Sequence, residues 1–313
     1  MNHMGVKVSI CIPCYNNADE VERLLKSIYS QDYTDYEVNV SDDSTDGATE
    51  KLIKMEYPAV NYRHNQKPYG HIFNWNAAIK MAKGMYIKIM FSDDWFTDRT
   101  SLGAYVALLD ENPDAMLAFA GSRQVMLDGQ DIRVMRHVTA QHQTGYYDRC
   151  ADRDFIDRLK ADYRNLFLGN QIGAPSAVIY RRGGELTLFD EQSNWASDMF
   201  LYFELLRKSP VFACTTKPLV SIGVHENQYT ESFSERDLRI YQDYRYMYTK
   251  YQLQKSAACR DYFTEKFVIK YHMGCKEAKE LGIGLNVWVR KWIAEQRATV
   301  QCFLQNRFRK RER

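Results

Sequence analysis

Apolar and polar positions follow two alternating periods along the first half of the chain. Val6 to Ile12 (VKVSICI) is a short β-branched run stopped by Pro13, and it reads as a buried strand. From Ala18 to Gln31 the apolar residues Val21, Leu24, Leu25 and Ile28 fall at i, i+3, i+4 and i+7, the stripe of an amphipathic helix. Tyr36 to Val40 predicts a second strand, ended by the turn-rich run Ser41 to Gly47, with a helix from Ala48. Val60 to Arg63 predicts a third strand, and Ile72 to Ala82 a helix that stops at Gly84. Tyr86 to Phe91 is a fourth strand, broken by Ser92-Asp93-Asp94. Strands spaced by helices imply βαβ units and a mostly parallel sheet. In such sheets ligands bind beyond the carboxyl ends of the strands. The polar clusters Pro13 to Asn17, Ser41 to Gly47 and Ser92 to Asp94 all stand at such ends and should converge.

The pattern changes after a strand at Ala115 to Ser122. Gln124 to Leu127 and Asp131 to Met135 flank Asp128-Gly129, which predicts a hairpin. Ala177 to Tyr180 is a short strand and Met199 to Leu206 a short helix. Beyond about Glu235 the chain is helical and rich in Tyr, Lys and Arg, and from Asn286 to Arg313 it carries eight basic residues against two acidic. This shift divides the chain into a domain at 1–234 and a helical, basic and aromatic extension at 235–313. A basic helix carrying Trp288, Trp292, Ile293 and Phe303 can lie on an anionic membrane surface or pack on the domain with a solvated basic face.

Composition sets outer limits. With 45% apolar and 26% charged residues the chain is globular, and 42 basic against 40 acidic side chains leave a charge of +2, so no global field argues for nucleic acid. Seven scattered cysteines do not form a secreted disulfide framework. Met1 to Ile12 lacks a basic head and a small-residue cleavage site, and no stretch approaches the roughly 18 apolar residues of a spanning helix. The expectation is a soluble protein of the cytoplasm, peripheral on the cytoplasmic face of the membrane if the tail binds lipid.

Each cluster admits a chemical and a plain reading. Asp93-Asp94 at a strand end suits a hard divalent cation, which prefers oxygen ligands, and equally suits a solvated loop. The run Asp42 to Gly47 is an Asx-type turn into a helix, or a carboxylate that accepts a base N–H. Tyr15 can stack on a flat base or sit half-buried at a strand terminus. Cys11 and Cys14 have redox-pair spacing, but Cys11 lies inside the apolar strand and the helix starts several residues later, so Cys11 reads as a small buried apolar residue. Ser197 is a plausible N-cap that places Asp198 in a first helical turn, where the dipole favours the carboxylate and weakens it as a base.

Taken together, VSICIPCYNN (Val8 to Asn17), DDSTDG (Asp42 to Gly47), Asn65 with Gly70, and NWNAAIKMAKGMYIKIMFSDD (Asn74 to Asp94) resemble the family 2 nucleotide-sugar glycosyltransferases. NWASDMFLYFELL (Asn194 to Leu206) and HENQYTES (His225 to Ser232) fit the same pattern, so the resemblance covers roughly Lys7 to Ser232. It implies an α/β, Rossmann-like GT-A fold: a mixed, mostly parallel sheet flanked by helices, here with a helical C-terminal extension. Carried over by position, Pro13, Tyr15 and Asn16 frame the nucleotide base and Asp43 hydrogen-bonds its edge, most naturally that of uracil. Asp93 reaches the ribose or donor sugar, and Asp94 binds Mn2+ or Mg2+ on the diphosphate. Asp198 is the general base and His225 a metal or diphosphate contact on a loop.

The implied reaction is transfer with inversion from a UDP-sugar to a hydroxyl of a glycan or lipid-linked glycan. Such transfer needs a neutralised diphosphate and a base on the opposite face of the sugar. Two departures from the family pattern stand out: Ser92 and Ser197 occupy positions where relatives place acidic residues. They leave open a non-catalytic carbohydrate-binding or partner-binding module on the same fold. A nucleotidyltransferase would need a Gly-rich basic phosphate loop, which the sequence lacks.

Overall fold

The computed structural model describes residues 5–127, 145–224, 233, 237–269 and 273–309. The chain alternates β1 (Val8–Cys14), α1 (Ala18–Tyr29), β2 (Tyr36–Asp42), α2 (Ala48–Glu56), β3 (Asn61–His64), α3 (His71–Lys80) and β4 (Tyr86–Ile89). It continues through β5 (Trp95–Phe96), α4 (Ser101–Asp110), β6 (Leu117–Met126), β7 (Tyr146–Arg149), α5 (Arg153–Ala161), β8 (Val178–Arg181), α6 (Ser197–Lys208) and β9 (Phe212–Val224). Helices α7 (Leu238–Lys250), α8 (Ala257–Phe263), α9 (Cys275–Glu280) and α10 (Leu285–Arg309) follow.

Among the described residues the strands form one sheet in the order β3-β2-β1-β4-β8-β6-β9-β5, with β7 paired to β6. Strands β1 to β4 are mutually parallel, and β6 and β9 share their direction, while β5, β7 and β8 run against it. The sheet is therefore mixed and mostly parallel. Val8, Ile10 and Ile12 on one face of β1 pack with the α1 stripe of Val21, Leu24, Leu25 and Ile28, all without solvent exposure. Each such buried side chain contributes about 1.5–3 kcal/mol, so the amphipathic period alone secures α1 to the sheet.

Several boundaries differ from the pattern reading, for reasons of pairing. Strand β1 runs through Pro13 to Cys14, because β4 pairs with it only as far as Cys11↔Ile89 and Pro13 interrupts no ladder on that side. Gln124 to Met126 extend β6, which pairs with β7 (Val125↔Tyr146) and β9; the second arm expected at 131–135 lies outside the described residues. Helix α6 begins at Ser197 itself, whose hydroxyl accepts from Ser193, so Ser197 is not its cap.

The chain divides into two compact units: Met1–Tyr163, Asn170–Ser193 and Ser197–Ser234 form the first, and Arg164–Gly169, Asn194–Ala196 and Glu235–Arg313 the second. Two early segments join the second unit by tertiary bonding. The buried carboxylate of Asp243 accepts the backbone N–H groups of Asn194 (3.0 Å), Trp195 (2.6 Å) and Ala196 (2.8 Å). Phe167 joins an aromatic cluster with Tyr244, Tyr248, Tyr262 and Phe263. No helix of the described residues is long and apolar enough to cross a membrane.

Candidate active site

The loops after β1, β2, β3 and β4 meet at the carboxyl edge of the sheet, and hydrogen bonds join them. Asn16 takes a left-handed conformation (φ 51°), which asparagine tolerates better than most residues. In it the Asn16 backbone N–H donates to Ser44 Oγ at 2.8 Å and its side-chain oxygen accepts from Thr45 N at 2.8 Å, tying the first loop to the second. Asn17 Nδ2 donates to Ser92 Oγ and so ties the first loop to the fourth. On this edge Pro13 is buried within β1 and the Tyr15 ring stands 54% exposed, free to receive a flat ligand.

The two carboxylates of Asp42-Asp43 do different work. Asp42 is fully buried and accepts from Ser44 N (2.8 Å) and from the Tyr62 hydroxyl (2.7 Å), which commits it to the turn. Asp43, almost as buried, accepts from Asn65 Nδ2 (2.7 Å), Tyr69 N (2.8 Å) and Gly70 N (3.0 Å). Gly70 has φ +89°, a conformation that suits glycine and lets both amides point at one oxygen. An ionised carboxylate has about four acceptor sites. Three are taken by donors of the protein itself.

The Asp93-Asp94 pair is asymmetric as well. The guanidinium of Arg23 donates to the Asp93 carbonyl at 2.9 Å while lying 4.4 Å from the Trp95 ring, so the turn is braced from α1. Asp94 is 2% exposed, and its Oδ1 accepts from Gly223 N at 3.2 Å. Burial first, and then the charge of Asp93, push its pKa well above the carboxylate range. A divalent cation offsets both effects, so this donor pair fits one. Among the described residues no group of three or more His, Cys, Asp or Glu side chains is placed to hold a metal ion. His225 lies outside the described residues.

Asp198, the second residue of α6, is partly buried. Its Oδ2 accepts from Asn170 Nδ2 at 2.6 Å and its Oδ1 from Met199 N at 2.7 Å. Burial raises its pKa from the ordinary 3.8 to about 6, against the opposing pull of Met199 N–H, Asn170 and the Arg149 charge. The helix-start position predicts a weakened base; desolvation outweighs it here, and the carboxylate is ionised by about ten to one at pH 7.

The segment from Asn170 to Ala177 holds no motif singled out from the sequence. In the structure it meets Asp198 through Asn170 at one end, and at the other the Ser176 hydroxyl accepts from Phe91 N at 3.0 Å in the loop that leads to Asp94. Two further residues escaped notice. Gly223 leaves room for the Asp93 carbonyl, which a Cβ there would meet at 2.5 Å. Lys88, fully buried, donates from Nζ to the Ser176 carbonyl, and burial lowers its pKa to about 7. The available signal was a lysine inside the apolar run Tyr86 to Ile89. Cys11 and Cys14 are buried thiols whose pKa burial pushes up, as befits packing residues.

Comparison with known proteins gives three kinds of likeness. The family model described as "Glycosyl transferase family 2" matches residues 9–185. The abequosyltransferase RfbV of Salmonella typhimurium is 33% identical over 35% of this chain and 34% of its own. The curated relatives match over about half of their own length or less. Among solved structures, Staphylococcus aureus TarS with UDP-GlcNAc superposes with a TM-score of 0.59 at 18% identity, covering 91% of this chain and 79% of that one. The mannosyltransferase PcManGT of Pyrobaculum calidifontis, with GDP-Man and Mn2+, gives 0.54 at 18% identity, covering 97% and 88%. At these identities the structural likeness is one of fold, the GT-A fold.

Proposed function

Because the chain belongs to glycosyl transferase family 2 and is a glycosyltransferase, we propose that it transfers a sugar with inversion from a UDP-sugar to a hydroxyl of a glycan or lipid-linked glycan. The observation that carries this reading is a partly buried carboxylate, Asp198, poised at about 6, on the same unit as the buried Asp94 and its half-buried neighbour Asp93 at the sheet edge. A base works best with a pKa near the operating pH, and Asp198 has one.

In this reading Tyr15 stacks on the base between Pro13 and Asn16, and Asp43 accepts the N–H of uracil. Asp93 binds the ribose or donor sugar. Asp94, with His225, would hold Mn2+ or Mg2+, which neutralises the diphosphate as it leaves. Asp198 takes the proton of the acceptor hydroxyl as that oxygen bonds the anomeric carbon. The bond from that carbon to the diphosphate oxygen breaks with its electron pair, and a single displacement inverts the centre.

We further propose a membrane contact through α10. Leu285, Trp292, Ile293 and Val300 are exposed on it, and their spacing of 7, 1 and 7 keeps them on one face of the helix. The chain from Asn286 to Arg313 has eight basic residues against two acidic. Apolar side chains flanked by cations suit an anionic bilayer surface, which would set the enzyme on the cytoplasmic face beside a lipid-linked acceptor.

The test is thermal stability with UDP, GDP, CDP and dTDP, each with and without Mn2+. A ligand of the folded state raises the melting temperature. Selective, metal-dependent stabilisation by UDP is expected. No shift with any nucleotide at millimolar concentration refutes the donor site, and UDP binding with no transfer to any acceptor points to a binding module. Sedimentation with vesicles containing anionic lipid tests the α10 contact; recovery in the supernatant at low salt refutes it.

A further inference from the structure

The turn from Asn170 to Gly173 is clamped to one face of α6 at two points. Asn170 Nδ2 donates to Asp198 Oδ2 at 2.6 Å, and the Tyr202 hydroxyl donates to the Gly173 carbonyl at 2.9 Å. Asp198 and Tyr202 are four residues apart, so they lie above one another on the helix. The turn is closed from inside by Asn170 Oδ1, which accepts from Ile172 N at 2.9 Å. From β7, Arg149 Nη2 donates to the Asn170 carbonyl at 3.3 Å. The two ends of this one amide thus have separate tasks: the oxygen shapes the turn and the nitrogen meets the carboxylate.

A side-chain amide is a donor that no pH removes. Directed at one carboxylate oxygen, it favours the charged form and restricts rotation about the Cβ–Cγ bond, which decides the lone pair presented to an incoming hydroxyl. We propose that Asn170 is a positioning residue for transfer: its Nδ2–H holds Asp198 in the orientation and the deprotonated state that accept the acceptor's proton. This rests on the reading of Asp198 as the base. The charged and titratable groups acting on Asp198 from the elements around it are Arg149 of β7, a fixed positive charge, and Tyr202 of α6. Burial and the nearby carboxylate push the Tyr202 hydroxyl well above its usual range, so it stays neutral between pH 5 and 9.

Asn170→Asp separates the two tasks. It keeps an oxygen for Ile172 N, removes the donor, and sets a carboxylate against Asp198. Asn170→Ser withdraws the donor by about one bond length, since its hydroxyl ends where the asparagine Cγ stood, adds no charge, and serves equally if the aspartate variant folds poorly. The titration of Asp198 is followed by 13C NMR on protein labelled at aspartate carboxyls, with the resonance assigned by its absence in Asp198→Asn. The midpoint is expected near 6 in the parent, about one unit higher in Asn170→Ser, and higher again in Asn170→Asp. UDP release from UDP-GlcNAc, with water as the probe acceptor, is expected to fall at least about tenfold at pH 7 in both. In Asn170→Asp the rate recovers toward pH 9. Stabilisation by UDP with Mn2+ stays at the parental level.

An unchanged midpoint in both variants overturns the proposal. So does a fall in UDP release together with lost UDP binding and no shift of the midpoint, which identifies Asn170 as structural only. If instead Asp198→Asn releases UDP at the parental rate, the base assignment fails, and the role of Asn170 fails with it even where the midpoints move.

Discussion

Replacing Asp198 by asparagine removes a charge that its surroundings disfavour, and the effect can be read without any substrate. In the folded protein the pKa stands at about 6 against an ordinary 3.8. Two units at about 1.4 kcal/mol each give about 3 kcal/mol of preference for the protonated form. Between about pH 4 and pH 6 the folded state binds more protons at this site than the unfolded state, so its contribution to stability falls as pH rises and levels off above about pH 6. The asparagine variant has no such titration. The stability of the variant minus that of the parent therefore increases by about 3 kcal/mol from pH 4 to pH 7, with other groups cancelling in the difference. A pH-independent offset acts against it. Asn170 Nδ2 and Met199 N each donate to one carboxylate oxygen, and an amide offers only one oxygen, so one donor loses its acceptor at a cost of about 1–3 kcal/mol. At pH 7 the variant is therefore expected at or slightly above parental stability, while transfer falls at least about 10²-fold. Urea unfolding of both proteins at half-unit pH steps, followed by fluorescence and far-UV circular dichroism, gives the difference. A flat difference across that range refutes the buried, raised carboxylate, whatever happens to the activity.

Other perturbations test the rest of the edge. Gly223→Ala sets a Cβ 2.5 Å from the Asp93 carbonyl and 2.8 Å from Leu127 Cδ1, so at least about 2 kcal/mol of stability and the metal-dependent response to UDP are both expected to go; a parental melting temperature contradicts this. Asp43→Ala strips the acceptor from Asn65 Nδ2, Tyr69 N and Gly70 N and should lower stability by about 2–4 kcal/mol, read as the urea midpoint at constant slope. Lys88→Met relieves a buried ammonium whose pKa burial has lowered to about 7, and leaves the Ser176 and Ile89 carbonyls without their donor. The two effects leave the variant no less stable than the parent and up to about 3 kcal/mol more stable; a clear drop in the urea midpoint shows that the buried cation is a net stabiliser.

Local pattern and tertiary pairing contributed different parts of this protein. Period alone located α1, because a helix buries only the face that its 3.6-residue repeat aligns, and Val21, Leu24, Leu25 and Ile28 are that face. The same logic found the βαβ order of the first half and hence the edge where the loops after β1, β2 and β4 meet. It missed β5, only two residues long, and β9, which owes its existence to partners: Phe212 to Val224 includes Lys217 and Pro218 and pairs with β6 across an irregular register at Gly121. Strand edges moved for the same reason, since a ladder ends where its neighbour ends.

The chemistry divides along the same line. The acidic pairs and Asp198 were legible because they are short motifs placed by local structure. Which donors each carboxylate of Asp42-Asp43 meets was not, because Tyr62, Asn65 and Gly70 decide it from other elements. Nor was the raised pKa of Asp198. Position in the chain supplies the helix dipole, a modest local field that falls off within a turn, whereas desolvation depends on everything packed around the group and here exceeds it. Asn170 meets Asp198 across 28 residues and Gly223 meets Asp94 across 129, and only the folded sheet brings those distances within a hydrogen bond.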